Sequence, residues 1–175
     1  GVPSWSDHAI IDDGLSATVD GLYDGADTFI PRLTGTLTIG EDAHLRLEST
    51  NAFNAVEFVS VLKLQKNAVL GTNVKYTLNL PPIEITSNAE FKCLSTGAHW
   101  RTTNFQSISG GIFTVTGING ATINFESATT VTGLILAGTS RHKVYGKASG
   151  CFGTGNVEVE GAIGEESAHL YLEVN

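Results

Sequence analysis

Methionine is absent from this chain, cysteine occurs twice, proline four times and tryptophan twice. With no methionine and no signal-peptide-like start, the sequence reads as a mature or processed form. Its opening Gly1-Val2-Pro3-Ser4 fits cleavage after a small-residue site or removal of a first methionine. Cations are also scarce: ten Lys and Arg stand against eighteen Asp and Glu, for a net charge of -8. Binding phosphate requires clustered Lys and Arg, and here they are spread singly, so no nucleic acid partner is expected. Anionic membrane surfaces are disfavoured for the same reason. Nor is there a long hydrophobic run. The most apolar stretch, Val56 to Leu64, is interrupted by Glu57, Ser60 and Lys63 and falls short of the roughly 20 residues of a spanning helix, so no membrane insertion is expected.

The two cysteines, Cys93 and Cys151, have neither a CxxC partner nor a histidine at zinc spacing. They leave two readings: one long-range disulfide, or two buried thiols packing as small hydrophobes. No asparagine heads an Asn-x-Ser/Thr sequon, which points away from a glycosylated eukaryotic secreted protein and toward a microbial or viral exterior. Helical periodicity is nearly missing as well, and neither linker nor single-sign charge run divides the 175 residues. The expectation is a single all-β domain over 1–175, with 1–6 as an extended N-terminal arm stiffened by Pro3.

What is present is alternation. Leu37-Thr38-Ile39, Leu45-Arg46-Leu47, Tyr76-Thr77-Leu78, Ile83-Glu84-Ile85 and Leu170-Tyr171-Leu172 place apolar side chains at every second residue, the mark of strands with one buried face. The alternation also repeats. Gly35 to Ser49 aligns with Gly111 to Ser127, so that Leu37 matches Phe113 and Ala43 matches Ala121. A further copy runs from Ile83 to Cys93, where Ile85 and Ala89 match Ile39 and Ala43. A looser one joins Val157-Glu158-Val159 to Ala168 through Leu172.

The unit, apolar-x-apolar, a polar bend, then Ala-x-apolar-x-apolar, suits two architectures. In a β-solenoid the bend turns the chain from one sheet to the next, the alanine fits a tight inner corner, and coils stack on one another. In a β-sandwich or jelly roll the bend is a hairpin loop between antiparallel neighbours. The offset between the first two copies suits three coils of about 25 residues, and the solenoid is the preferred reading. Val56 to Leu64 changes phase midway, as a long bulged strand or one buried on both faces would.

Candidate sites are sparse. Asp12, Asp13, Asp20, Asp24 and Asp27 lie beside three glycines and are the best candidates for calcium, which takes several oxygen ligands from flexible loops; otherwise they are turn residues. No other cofactor is expected. Trp100, flanked by His99 and Arg101, could form a sugar-stacking platform, or the tryptophan could fill a core or an interface. His44 and His169 occupy equivalent places in two copies, before an inward residue, and are expected to face outward. Gly150-Cys151-Phe152-Gly153-Thr154-Gly155 lacks the Lys-Ser/Thr ending of a phosphate cradle and reads as a tight turn. No nucleophile elbow occurs, and nothing singles out a carboxylate pair among the glutamates, so no catalytic residue is assigned.

The resulting expectation is a non-enzymatic structural or assembly protein of a microbial or viral exterior. It would be a fibre, filament, appendage or capsid-decoration subunit located extracellularly, at the cell surface or on a virion, and it would form homo-oligomers through strand edges. The alternatives are a glycan- or receptor-binding adhesin module and, third, a polysaccharide-cleaving enzyme on a β-solenoid.

Overall fold

In the computed structural model, residues 8–20, 35–48, 59–74, 77–94, 101–116, 121–138, 142–161 and 170–174 are described. Among them are fifteen β-strands and no helix. In chain order they are β1 (Ala9–Ile11), β2 (Ser16–Asp20), β3 (Thr36–Ile39), β4 (His44–Glu48), β5 (Val61–Leu64), β6 (Ala68–Thr72), β7 (Leu78–Leu80) and β8 (Ile83–Cys93). There follow β9 (Arg101–Phe105), β10 (Ile108–Thr116), β11 (Ala121–Phe125), β12 (Thr130–Gly138), β13 (His142–Gly146), β14 (Asn156–Gly161) and β15 (Leu170–Val174).

The alternating residues behave as strands with one dry face. β4 buries Leu45 and Leu47 and exposes His44 and Arg46; β5 buries Leu62 and Leu64 and exposes Lys63. Every pairing between described strands is parallel. A hairpin-built sandwich pairs consecutive strands antiparallel. Here each strand lies instead beside one from a neighbouring coil, some 20 to 28 residues away. The fold is a β-solenoid.

Three rows of strands build it. The first row runs β1-β3-β5 and continues into the leading parts of β8, β10 and β12; the second runs β2-β4-β6 and continues through the trailing parts of the same long strands to β14. The third row, β15-β13-β11-β9-β7, is a separate five-stranded sheet. Side chains stack in columns across the rows: Leu62 on Ile83 on Ile108, Leu45 on Leu70 on Phe91 on Val115 on Leu136, and Leu78 on Thr103 on Ile123 on Val144.

One continuous core fills the space between the rows. At its centre Phe105 meets Phe91 and Phe113 edge to face, with ring centroids 5.1 and 5.4 Å apart, and packs beside Phe125 at 5.4 Å. Fully burying each such ring contributes about 1.5–3 kcal/mol of transfer free energy.

The corner between the first and second rows changes along the stack. In the early coils it is a sharp polar turn, whose left-handed positions are Gly14 (φ 70°), Asp42 (φ 55°) and Asn67 (φ 59°). Ala43 and Ala68 follow the turns and are buried, and Ala89 stands on Ala68 within β8. From β8 onward the two rows fuse into long strands. The corner straightens, and the same column takes Phe113 and Leu134.

The pairing of β8 with β10 is irregular between Gly110 and Ile112. At Gly111 a Cβ would lie only 1.6 Å from the Ser87 carbonyl oxygen, so the chains approach too closely for any side chain.

Several expectations need correction. The alignment of Gly35–Ser49 with Gly111–Ser127 has slipped by one strand. Leu37 stacks in the column of Leu62, Ile83 and Ile108, whereas Phe113 stands on Ala89, in the column of the corner alanines. All three rows share a period of two, so alternation alone lets one row be mistaken for the next. The copy at Ile83 to Cys93 is in true register, and Leu62 to Thr72 is a further copy beside it. At the end of the chain Leu172 stands on Val144, in the column of Ile123, where the alignment had put Leu170; Ala168 and His169 lie outside the described residues.

Strand β5 begins only at Val61, and 51–58 lie outside the described residues, as does the 1–6 arm. No disulfide joins Cys93 to Cys151. Cys93 ends β8, while Cys151 lies in the turn leading to β14, three strands further along the stack. Strands about 4.8 Å apart put that well beyond the roughly 7 Å Cα limit of a disulfide.

Candidate functional site

Outward positions of the third row carry a column of amides. Leu78 and Leu80 face the core, so Asn79 between them faces out; parallel register then stacks Asn104 and Asn124 on it. Asn104 Nδ2 donates to Asn79 Oδ1 at 2.8 Å, and Asn124 Nδ2 donates to Asn104 Oδ1 at 2.7 Å. In-register asparagines repeat the backbone's own hydrogen-bond direction, which gives such ladders their rigidity. Tyr145 is next in the column.

Asn79 and Asn104 of the ladder line an open cleft of about 720 Å³. Gln106 and Glu126 line it at the strand ends, together with Ser60, and Val59, Leu80, Pro81 and Pro82 supply apolar surface. Amides, a hydroxyl and a carboxylate over an apolar floor suit a ligand rich in hydroxyl groups. Glu126 is the single carboxylate among the described lining residues, whereas glycoside hydrolysis ordinarily employs two.

A second polar column follows the sharp corner. Asn67 Nδ2 donates to Asp42 Oδ1 at 2.8 Å, and Asn88 Nδ2 to Asn67 Oδ1 at 2.7 Å. Beside it Lys66 Nζ lies 2.7 Å from Glu41 Oε1. That hydrogen bond, together with the charge of Glu41, raises the Lys66 pKa above its ordinary value.

Asp12 and Asp13 belong to the first of these corners. The Asp12 carbonyl accepts from Leu15 N at 3.1 Å, and Asp13 Oδ1 accepts from Glu41 N at 2.8 Å, as turn residues do. Asp20 closes the far end of β2, opposite Glu48, and Asp24 and Asp27 lie outside the described residues. Among the described residues no three His, Cys, Asp or Glu side chains converge as a metal site would require.

Arg101 opens β9 opposite Ala121, at the other end of that strand from the cleft; His99 and Trp100 lie outside the described residues. His44 is exposed, as its place before Leu45 requires. Gly150 to Gly155 forms a turn with Gly150 and Gly153 at positive φ and Cys151 buried beneath it.

The third feature is the pair of ends of the second row. Leu134 and Leu136 are buried, yet Val157 and Val159, stacked on them in the same columns, are 43% and 48% exposed. At the opposite end Leu15, in the column of Ala43, is 56% exposed. Core-facing positions thus reach solvent where the described stack stops.

The amide column was missed by sequence reasoning that looked for aromatic rings and charge. Its signal was there, as asparagines 25 and 20 residues apart that each directly precede a large apolar residue: Leu80, Phe105 and Phe125. Comparison of this chain with protein families, curated proteins and solved structures finds no significant match, so any functional reading rests on its own geometry.

Proposed function

We propose that this chain is a non-enzymatic structural or assembly protein of a microbial or viral exterior that self-associates through its β-strand edges. The observation that carries the reading is the exposure of Val157 and Val159 on β14, although Leu134 and Leu136, on which they stand, are buried. An edge strand offers unpaired backbone donors and acceptors, and with apolar side chains beside them it is a template for another strand. The acidic, methionine-free, Thr- and Gly-rich composition without sequons supports the exterior setting. Among the described residues no helix is long and apolar enough to cross a membrane.

The test is sedimentation of the purified chain over a wide concentration range, with and without residues 1–6. The reading expects larger species to grow with concentration. Monomer alone in both forms would reject it.

A second reading, a glycan-binding module, is favoured by the cleft beside Asn79 and Asn104. Its candidate contacts are Asn104, Gln106 and Glu126, with Trp100, His99 and Arg101 as a separate sequence-based proposal. Glycan-array binding lost in Asn104→Ala but kept in Trp100→Ala would select the cleft; the opposite pattern would select the tryptophan platform.

A further inference from the structure

We infer that copies of this chain stack head to tail, the edge of β2 in one copy adding to the edge of β14 in the next, with Leu15 seated on Val157 and Ala17 on Val159. The inference rests on the self-association reading and specifies its geometry.

Register carries it. Val159 ends a column that runs back through Leu136, Val115, Phe91, Leu70 and Leu45 to Ala17. Val157 ends the adjacent one, which runs back through Leu134, Phe113, Ala89 and Ala68. His44 N donates to the Leu15 carbonyl at 2.8 Å, which sets Leu15 in that same column beside Ala43. The two ends of the row therefore expose apolar side chains at identical column positions. A copy translated along the stack presents Leu15 to Val157 and Ala17 to Val159, in the parallel pairing used throughout the solenoid.

The outward positions agree. Continuing the register sets Glu158 opposite Ser16 and Glu160 opposite Thr18, with no carboxylate facing another. On the strand beyond, His44 and Arg46 occupy those same columns. Like charges directly opposite would oppose pairing, and the hydroxyls of Ser16 and Thr18 avoid that repulsion. The partner is thus a second copy: its N-terminal end matches this C-terminal end in row, apolar register and charge.

Among the described residues the contact lies in the second row. β14 has no strand before it in the first row, where the turn from Gly150 to Gly155 occupies that level. Because the two joined surfaces differ, the contact is heterologous, and repetition yields an open-ended fibre rather than a closed pair.

The experiment mixes two singly substituted full chains, Leu15→Cys and Val157→Cys, under mild oxidation, and maps the bridge by peptide mass. Stacked neighbours on parallel strands lie about 4.8 Å apart, within disulfide reach. The expected product is a 15-to-157 bridge between the two proteins that forms in neither alone. In parallel, Leu15→Lys and Val159→Lys should each raise the concentration needed for association by about tenfold or more. Ile112→Lys, at an exposed apolar site away from either end, should leave it unchanged. Far-ultraviolet spectra check that each variant keeps its strands. Association without a 15-to-157 bridge, or association undisturbed by both end substitutions, overturns this geometry while leaving self-association standing. Monomer at every concentration overturns both.

Discussion

Phe105 touches three other rings, and all four lie in the dry interior where the second and third rows meet. Phe105→Ala should therefore cost roughly 3–5 kcal/mol, read as a lowered midpoint in urea, because the surrounding rings are fixed by their own strands and cannot collapse into the void. The glycines divide by what surrounds them. At Gly111 a methyl would overlap the Ser87 carbonyl, so Gly111→Ala should lose at least the about 1–3 kcal/mol of an overpacked site. At Gly133 the nearest atom, Ile112 Cγ1, is 3.5 Å from where a Cβ would stand, which is ordinary contact. Gly133→Ala should leave the thermal midpoint unchanged or raise it by the equivalent of up to about 1 kcal/mol. Lys66 illustrates the sign of a charge effect. Its pKa is raised in the folded chain, so its contribution is fully present at neutral pH and fades only as pH climbs through that raised value. Thermal melts from neutral to mildly alkaline pH should show no step from it.

At the scale of elements, the strands were legible and the corners only partly so. Period-two alternation identified the strands around Leu37, Leu45 and Ile83 because each has one face in water and one in the core, and that contrast is written residue by residue. Which row a strand belongs to is not written that way, since a leucine in one row is chemically the same as a leucine in another. Hence Phe113 was matched to Leu37 when its true neighbours are Ala89 and Leu134. The recurring alanines were legible because Ala43, Ala68 and Ala89 share one buried column, although Leu15, after the equivalent turn, shows that the position also takes a larger side chain. Asn67 combines both corner requirements, a left-handed backbone and two ladder hydrogen bonds. Asn67→Gly keeps the first and loses the second, for a cost near 1 kcal/mol. Asn67→Val should lose a further about 1–2 kcal/mol from left-handed strain. Comparing the two melts separates ladder from backbone.

The whole molecule is a stack in which each level touches only the levels above and below it. Stability in such arrays is a sum over neighbours, so the end levels, with one neighbour each, open first. Hydrogen exchange should find the amides of Leu64, Phe91 and Val115 protected longest, and those of Thr18 and Val159 shortest, in a dilute sample. Raising the concentration should slow exchange at Thr18 and Val159 if their edges meet. The candidate sites were far less legible than the fold. The cleft assembles Ser60, Asn104 and Glu126 from separate levels, and the exposure of Val157 depends on where stacking stops, a property of the pile and not of any local pattern.

Parallel pairing at every level has a mechanical consequence. The hydrogen bonds between levels all point along the axis of the stack, while the covalent chain winds around it. A pull along that axis is therefore borne first by hydrogen bonds and side-chain stacking and not by the covalent chain, one level in series with the next, and the weakest level sets the strength of the whole. In a fibre of such subunits a joint with fewer paired strands than the levels inside each coil would be that level, so the thread would snap between subunits and leave each coil intact.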